Sequence, residues 1–133
     1  MSLSLCVEPY NQLVNFSFPD DIQVFMKRED HLHPLVSGNK FRKLKYNLIQ
    51  AKQENHSVLL TFGGAYSNHI VATAAAAKEQ GLQSIGILRG DELEFKIAEN
   101  PTLSLAKSLG MQLFFVTREA YRNKTEAFFI KDL

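Results

Sequence analysis

Lys40 and Lys43 lie three residues apart in the run Ser37-Gly38-Asn39-Lys40-Phe41-Arg42-Lys43-Leu44, where a glycine-broken loop hands two amines to one side of a helix start. An ammonium near a helix N-terminus is electrostatically misplaced, because the dipole there favours negative charge. Cationic neighbours and the dipole together favour the neutral form of an amine, which is the form that condenses with a carbonyl. The same cations would hold a phosphate. A solvated basic helix face has this pattern as well.

A second segment, Thr61-Phe62-Gly63-Gly64-Ala65-Tyr66-Ser67-Asn68-His69, falls between a predicted strand and a predicted helix. Glycines let the backbone approach a ligand, and the unpaired N–H groups of a helix start then receive a carboxylate or phosphate. In open α/β sheets ligands sit at the carboxyl ends of strands, where this turn would lie. Ser67 and Asn68 also suit a plain N-cap. His69 and Tyr66 alone carry little, since a lone histidine in a first turn is commonly a surface or core residue. Histidines 31, 33, 56 and 69 show no paired helical spacing and no cysteine partner, which argues against a metal site; His31 and His33 read as loop residues. No G-x-G-x-x-G dinucleotide fingerprint occurs.

The elements that must position these residues follow from punctuation and periodicity. Ser57 to Phe62 reads as a buried strand, and Ser67 to Gln80 as the next helix, with Gly81 as its stop. A second strand covers Gln83 to Leu88. Asn100 and Pro101 form an N-cap and first helical position for a helix ending before Gly110, and Met111 to Val116 is a third strand. Thr117 caps a last helix that carries Tyr121, Phe128 and Phe129, and an alternative reading leaves Phe128, Phe129 and Ile130 on it as an exposed apolar face. Upstream, Ile22 to Met26 reads as a strand and His31 to Gly38 as a loop. A helix is predicted from about Asn39, with Phe41, Leu44 and Leu48 on its buried face and Lys40, Lys43 and Asn47 on a neighbouring one. Gly90 to Glu99 reads as a long connection. Strands alternating with helices predict an α/β fold, an open parallel sheet with flanking helices.

The chain has 133 residues, 45% hydrophobic and 22% charged, enough for one core. A formal charge of +1 singles out neither nucleic acid nor an anionic membrane as partner. Cys6 is the only cysteine, so an internal disulfide framework is excluded and a reducing cytoplasm is expected. The opening residues have no signal-peptide pattern, and no apolar run is long enough to span a bilayer.

Taken in order, Lys27-Arg28-Glu29-Asp30, Ser37-Gly38-Asn39-Lys40 with Arg42-Lys43-Leu44, and Gly63-Gly64 with Ser67-Asn68-His69 ahead of an alanine-rich helix resemble the 1-aminocyclopropane-1-carboxylate deaminase and D-cysteine desulfhydrase family. The pairing of G-N-K-x-R-K-L with a downstream S-N-H is more specific than either part. The resemblance covers most of the chain from about residue 20. It implies a two-domain fold like the tryptophan synthase β-subunit: residues 1–56 would belong to the larger domain, and residues 57–133 would form most of the smaller open α/β domain.

It also implies pyridoxal 5′-phosphate as cofactor, carried by Lys40 as a Schiff base, with Lys40 later moving the substrate proton. Asn39, Lys43 and Asn68 would bind the cofactor, Lys43 near its phosphate and Asn68 at the ring's phenolic oxygen. Ser67, Asn68 and His69 would receive the carboxylate of a small amino acid, Ser67 with a catalytic role. His69, where the cyclopropane deaminases commonly carry glutamine, looks more like the desulfhydrase branch. Phe41 and Tyr66 depart from the commoner family residues. A cytoplasmic homodimer is implied for the full-length protein. The seven glycines, at 38, 63, 64, 81, 86, 90 and 110, include no second cluster to cradle the cofactor phosphate. The chain is therefore expected to be an N-terminal piece with little activity by itself. Two other readings stay open: a non-catalytic α/β anion- or nucleotide-binding module, and an interaction fragment using the last helix.

Overall fold

The computed structural model describes residue 3, residues 7–126 and residues 128–129; Cys6, Ile130 and Leu133 lie outside the described residues. Short β-branched and apolar runs separated by helical stretches give a three-stranded parallel sheet. Its strands are Val58–Gly63 (β3), Gln83–Arg89 (β4) and Gln112–Val116 (β5), in spatial order β3-β4-β5. Gly63 pairs with Leu88 and Arg89 with Val116, so the carboxyl ends of the strands are level. Asn68–Glu79 (α2) and Pro101–Ser108 (α3) are the crossovers. They pack on each other around Ile70, Ala74, Leu88, Leu103 and Ala106. Both lie on one face of the sheet, as a constant crossover hand requires when each strand is added on the same side.

α2 is buried without interruption from Ile70 to Ala77, so it has no solvent stripe along that length. Its other side receives Gly38–Gln53 (α1), whose Phe41, Leu44 and Leu48 face Ala72, Ala75 and Ala76 together with Leu32 and Val36. Alanines let the helices approach closely. The expected buried face of α1 is the one observed, extended by Ala51. At Gly63 a Cβ would stand 2.5 Å from Ile70 Cγ1, so only glycine lets β3 run this close to α2. Gly81 follows α2 with φ +68, the left-handed stop that the sequence predicts.

Four expectations change. β3 is only half buried, with Val58 39% and Leu60 45% exposed, because Leu59, Thr61 and Gly63 turn inward while the alternate residues meet no helix at that end. Upstream, the strand shrinks to Phe25–Lys27 (β2) and pairs antiparallel with Asn11–Leu13 (β1), which carries no clear period of its own. The long connection after Gly90 is a 3-10 segment, Asp91–Glu99, kinked at Lys96. Finally, the last helix is not continuous: Arg118–Arg122 (α4) ends at Asn123, and a turn through Thr125 precedes Phe128 and Phe129. Asn and Thr are weak helix formers there. Phe129 is buried against Phe62, at 6.3 Å between ring centroids, so the predicted exposed apolar face is reduced to Phe128 among the described residues.

Candidate active site

A cavity of about 610 Å³ opens where the first turns of α1, α2 and α3 meet, lined among others by Asp30, Gly38, Lys40, Asn68, Pro101 and Thr102. Each helix start presents N–H groups and the positive end of its dipole. In α1 the N-cap Ser37 makes no side-chain capping bond, and Gly38 opens the helix at φ +56. In α2 Ser67 Oγ accepts from His69 N at 3.3 Å, and in α3 Asn100 Oδ1 accepts from Thr102 N and Leu103 N. Among the described residues no acceptor is bonded to the N–H groups of Tyr66 and Asn68 in the turn entering α2. The three helix starts thus favour an anion in the cavity, with the Asp30 carboxylate, paired to Arg28, also on its wall.

One primary amine stands in this setting. Lys40 Nζ donates to Asn39 Oδ1 at 3.1 Å, in the same cavity as Asn68. Arg42 is turned away from it, donating to Glu29 Oε1 at 2.9 Å, so the expected cationic cluster loses that member to an ion pair. The Lys27-Arg28-Glu29-Asp30 run forms a bracing web: Arg28 pairs with Asp30 at 2.7 Å and also bonds Gln12 and His31, while Lys27 reaches Glu29 at 3.5 Å. The Arg28 guanidinium holds the Asp30 carboxyl down to about 2.

His69 points elsewhere. It lines a second cavity of about 400 Å³ with Asn47, Thr61 and Thr73, among α1, β3 and α2. Burial, then the Lys40 and Lys43 ammonium groups, pull its pKa below the ordinary histidine value. The structure therefore brings Asn39, Lys40 and Asn68 into one cavity, leaves Lys43 outside its lining, turns His69 to the second cavity, and uses the Ser67 hydroxyl as a helix cap. Sequence reasoning missed Asp30 and Thr102 as cavity walls, although the acidic residue of the K-R-E-D run and the Asn100-Pro101 cap were both visible. Among the described residues no group of three His, Cys, Asp or Glu side chains could hold a metal, and no helix is long and apolar enough to cross a membrane.

No family model matches the chain. A Thermotoga maritima protein, provisionally named a 1-aminocyclopropane-1-carboxylate deaminase, is 34% identical over 128 residues, covering 96% of this chain and 40% of its own. A Pyrococcus horikoshii protein with the same provisional name is 40% identical over 84 residues, or 63% of this chain and 26% of its own. The Arabidopsis thaliana mitochondrial bifunctional D-cysteine desulfhydrase/1-aminocyclopropane-1-carboxylate deaminase is 32% identical over 107 residues, 77% of this chain and 26% of its own. A crystal structure of an ACC deaminase homologue superposes with a TM-score of 0.65 at 32% identity, covering 83% of this chain and 33% of that one. The chain thus spans between 26% and 40% of the length of these relatives. By sequence and by fold, it belongs to the 1-aminocyclopropane-1-carboxylate deaminase and D-cysteine desulfhydrase family.

Proposed function

We propose that this chain supplies the reactive lysine and the carboxylate-receiving turn of a pyridoxal-phosphate-dependent enzyme that breaks down a small amino acid. One observation carries the proposal: the Lys40 amine and the Asn68 side chain share a single cavity into which three helix N-termini point. The residues present fit the cofactor. They offer a primary amine for an aldehyde, helix dipoles and Lys43 for a phosphate, and an amide beside the amine for a phenolic oxygen. When bound, pyridoxal phosphate supplies an electron sink that weakens the bonds at the substrate's α-carbon.

The chain's own groups then divide the work. Lys40 Nζ would hold the cofactor through its aldehyde group and would take or return the proton at the substrate's α-carbon. The Tyr66 and Asn68 N–H groups and the Ser67 hydroxyl receive the substrate carboxylate, which orients the bond to be broken. Asn39, bonded to Lys40 Nζ, holds the amine in the cavity mouth. By resemblance alone, His69 in place of glutamine favours D-cysteine over the cyclopropane amino acid, since His69 lines the second cavity and not the one that holds Lys40. Residues 1–56 act as part of a larger cofactor domain and residues 57–133 as part of a smaller one. Without a second glycine-rich phosphate cradle, the 133-residue chain turns over little by itself.

Reduction with borohydride in the presence of pyridoxal phosphate, followed by peptide mass mapping, tests the reading. Label is expected on Lys40 ahead of Lys43 and Lys45, and Lys40→Arg should abolish it at that peptide. Label spread evenly over the surface lysines, with inorganic phosphate still bound, would instead favour the anion-binding module.

A further inference from the structure

We infer that His33 and Glu79 form a clasp that positions Lys40, acting on the site through the packing of α1 on α2; this inference rests on the reading of Lys40 above. His33 is 7% exposed and lies in the loop that leads into α1. Its Nδ1 accepts two backbone bonds, from Leu35 N at 3.1 Å and Val36 N at 2.9 Å. A nitrogen that accepts twice carries no proton, so the proton is on Nε2, which donates to Glu79 Oε1 at 2.6 Å. Every polar atom of the buried ring is satisfied, and one tautomer is selected.

The three bonds connect elements far apart in sequence. Glu79 ends α2, the helix that begins at the Ser67-Asn68 turn. Leu35 and Val36, fixed by the ring, are followed closely by Gly38 and then Lys40, and Val36 is fully buried beside the α1–α2 seam. At the same end of α2, Lys52 Nζ from the last turn of α1 donates to Gln80 Oε1 at 2.7 Å. The two helices therefore run side by side in one direction. Glu79 and Gln80 lie at the end of α2 remote from the cavity, whereas Pro34 and Leu35, next to His33, line it, so the clasp ties the far end of α2 to the cavity wall that leads into Lys40. Lys52 is a long side chain held by a single bond, whereas His33 is buried and held by three. The clasp is thus the stiffer pin, and Lys40 follows it.

Four chains decide the matter: the native sequence, His33→Ala, Glu79→Ala and Glu79→Gln. The first readout is the ratio of borohydride-trapped pyridoxal phosphate on Lys40 to that on Lys45. The second is the NMR titration midpoint of His69, which is lowered first by burial and then by Lys40 and Lys43, and so reports the packing of α1 on α2 around it and needs no cofactor. Both alanine variants should lose about tenfold of the Lys40 preference, since small misplacements of a reacting group cost at least that much. Their His69 midpoint should rise toward the ordinary value of about 6.5.

Glu79→Gln keeps an acceptor for Nε2–H and should match the native chain in both readouts. Lower melting temperatures with an unchanged Lys40 ratio and His69 midpoint would overturn the clasp, as would Glu79→Gln behaving like Glu79→Ala. Should His33→Ala fail to fold, Glu79→Ala decides, because it removes only the partly exposed partner. If the native chain shows no Lys40 preference, the cofactor reading fails, and the His69 midpoint alone then supports or overturns the clasp.

Discussion

Asp30 sits on the wall of the Lys40 cavity with its oxygens held by Arg28, and so it stays ionised far into acid. Its folded value of about 2 lies below the ordinary aspartate value of about 3.9. The unfolded chain therefore binds the proton first. The stabilisation is complete above the ordinary value and is lost as pH falls through the folded one. In thermal melts, the advantage of the native chain over Asp30→Asn should be constant at neutral pH and shrink from about pH 4 toward about pH 2. An advantage that persists unchanged across that window would show that the Arg28 contact adds nothing. The residues of the site were legible to unequal degrees. Asn39, Lys40 and Asn68 each stand in a short run whose types and spacing carry the chemistry. The His33–Glu79 pair joins positions 46 residues apart, and no local pattern marks such a partner.

Glycine placement gives an element-level test. At Gly63 an added methyl would collide with Ile70 of α2, at 2.5 and 2.7 Å, whereas at Gly64, one residue on, it would meet nothing within 4 Å. Gly63→Ala should therefore lower unfolding stability in urea by about 1–3 kcal/mol, and Gly64→Ala should leave it nearly unchanged. Equal losses would mean that the turn, and not the strand–helix approach, is what demands glycine. The caps at Ser67, Asn100 and Thr117 were legible because capping is decided within three residues, and all three side chains accept the expected backbone bonds. The β1–β2 pairing was not legible, since two three-residue strands have too few alternations to show a period. The break after Arg122 was hidden by apolar residues beyond it, of which Phe129 serves contact with Phe62 and Phe128 stays exposed, so they form no helical stripe.

At the scale of the molecule, the parallel α/β layering was legible because strand and helix periods alternate, while the meeting of three helix starts at one cavity joins residues about 30 to 60 positions apart that no local pattern links. The β1–β2 ribbon is a two-stranded unit, marginal by itself, and it leaves Leu13, Phe16, Ile22, Phe25 and Met26 exposed. Apolar surface of that extent promotes association. Sedimentation velocity should show the average mass rising with protein concentration, and Phe16→Ser with Phe25→Ser should reduce the rise. A strictly monomeric boundary at every concentration would count against this. The strand order has a bearing on how the chain is made. Because β3, β4 and β5 lie across the sheet in the sequence in which they are translated, each one leaving the ribosome finds a free edge waiting, and none has to be threaded between two neighbours already joined. Assembly can thus keep pace with synthesis, the polypeptide laying down its layers from the amino end without undoing any earlier pairing.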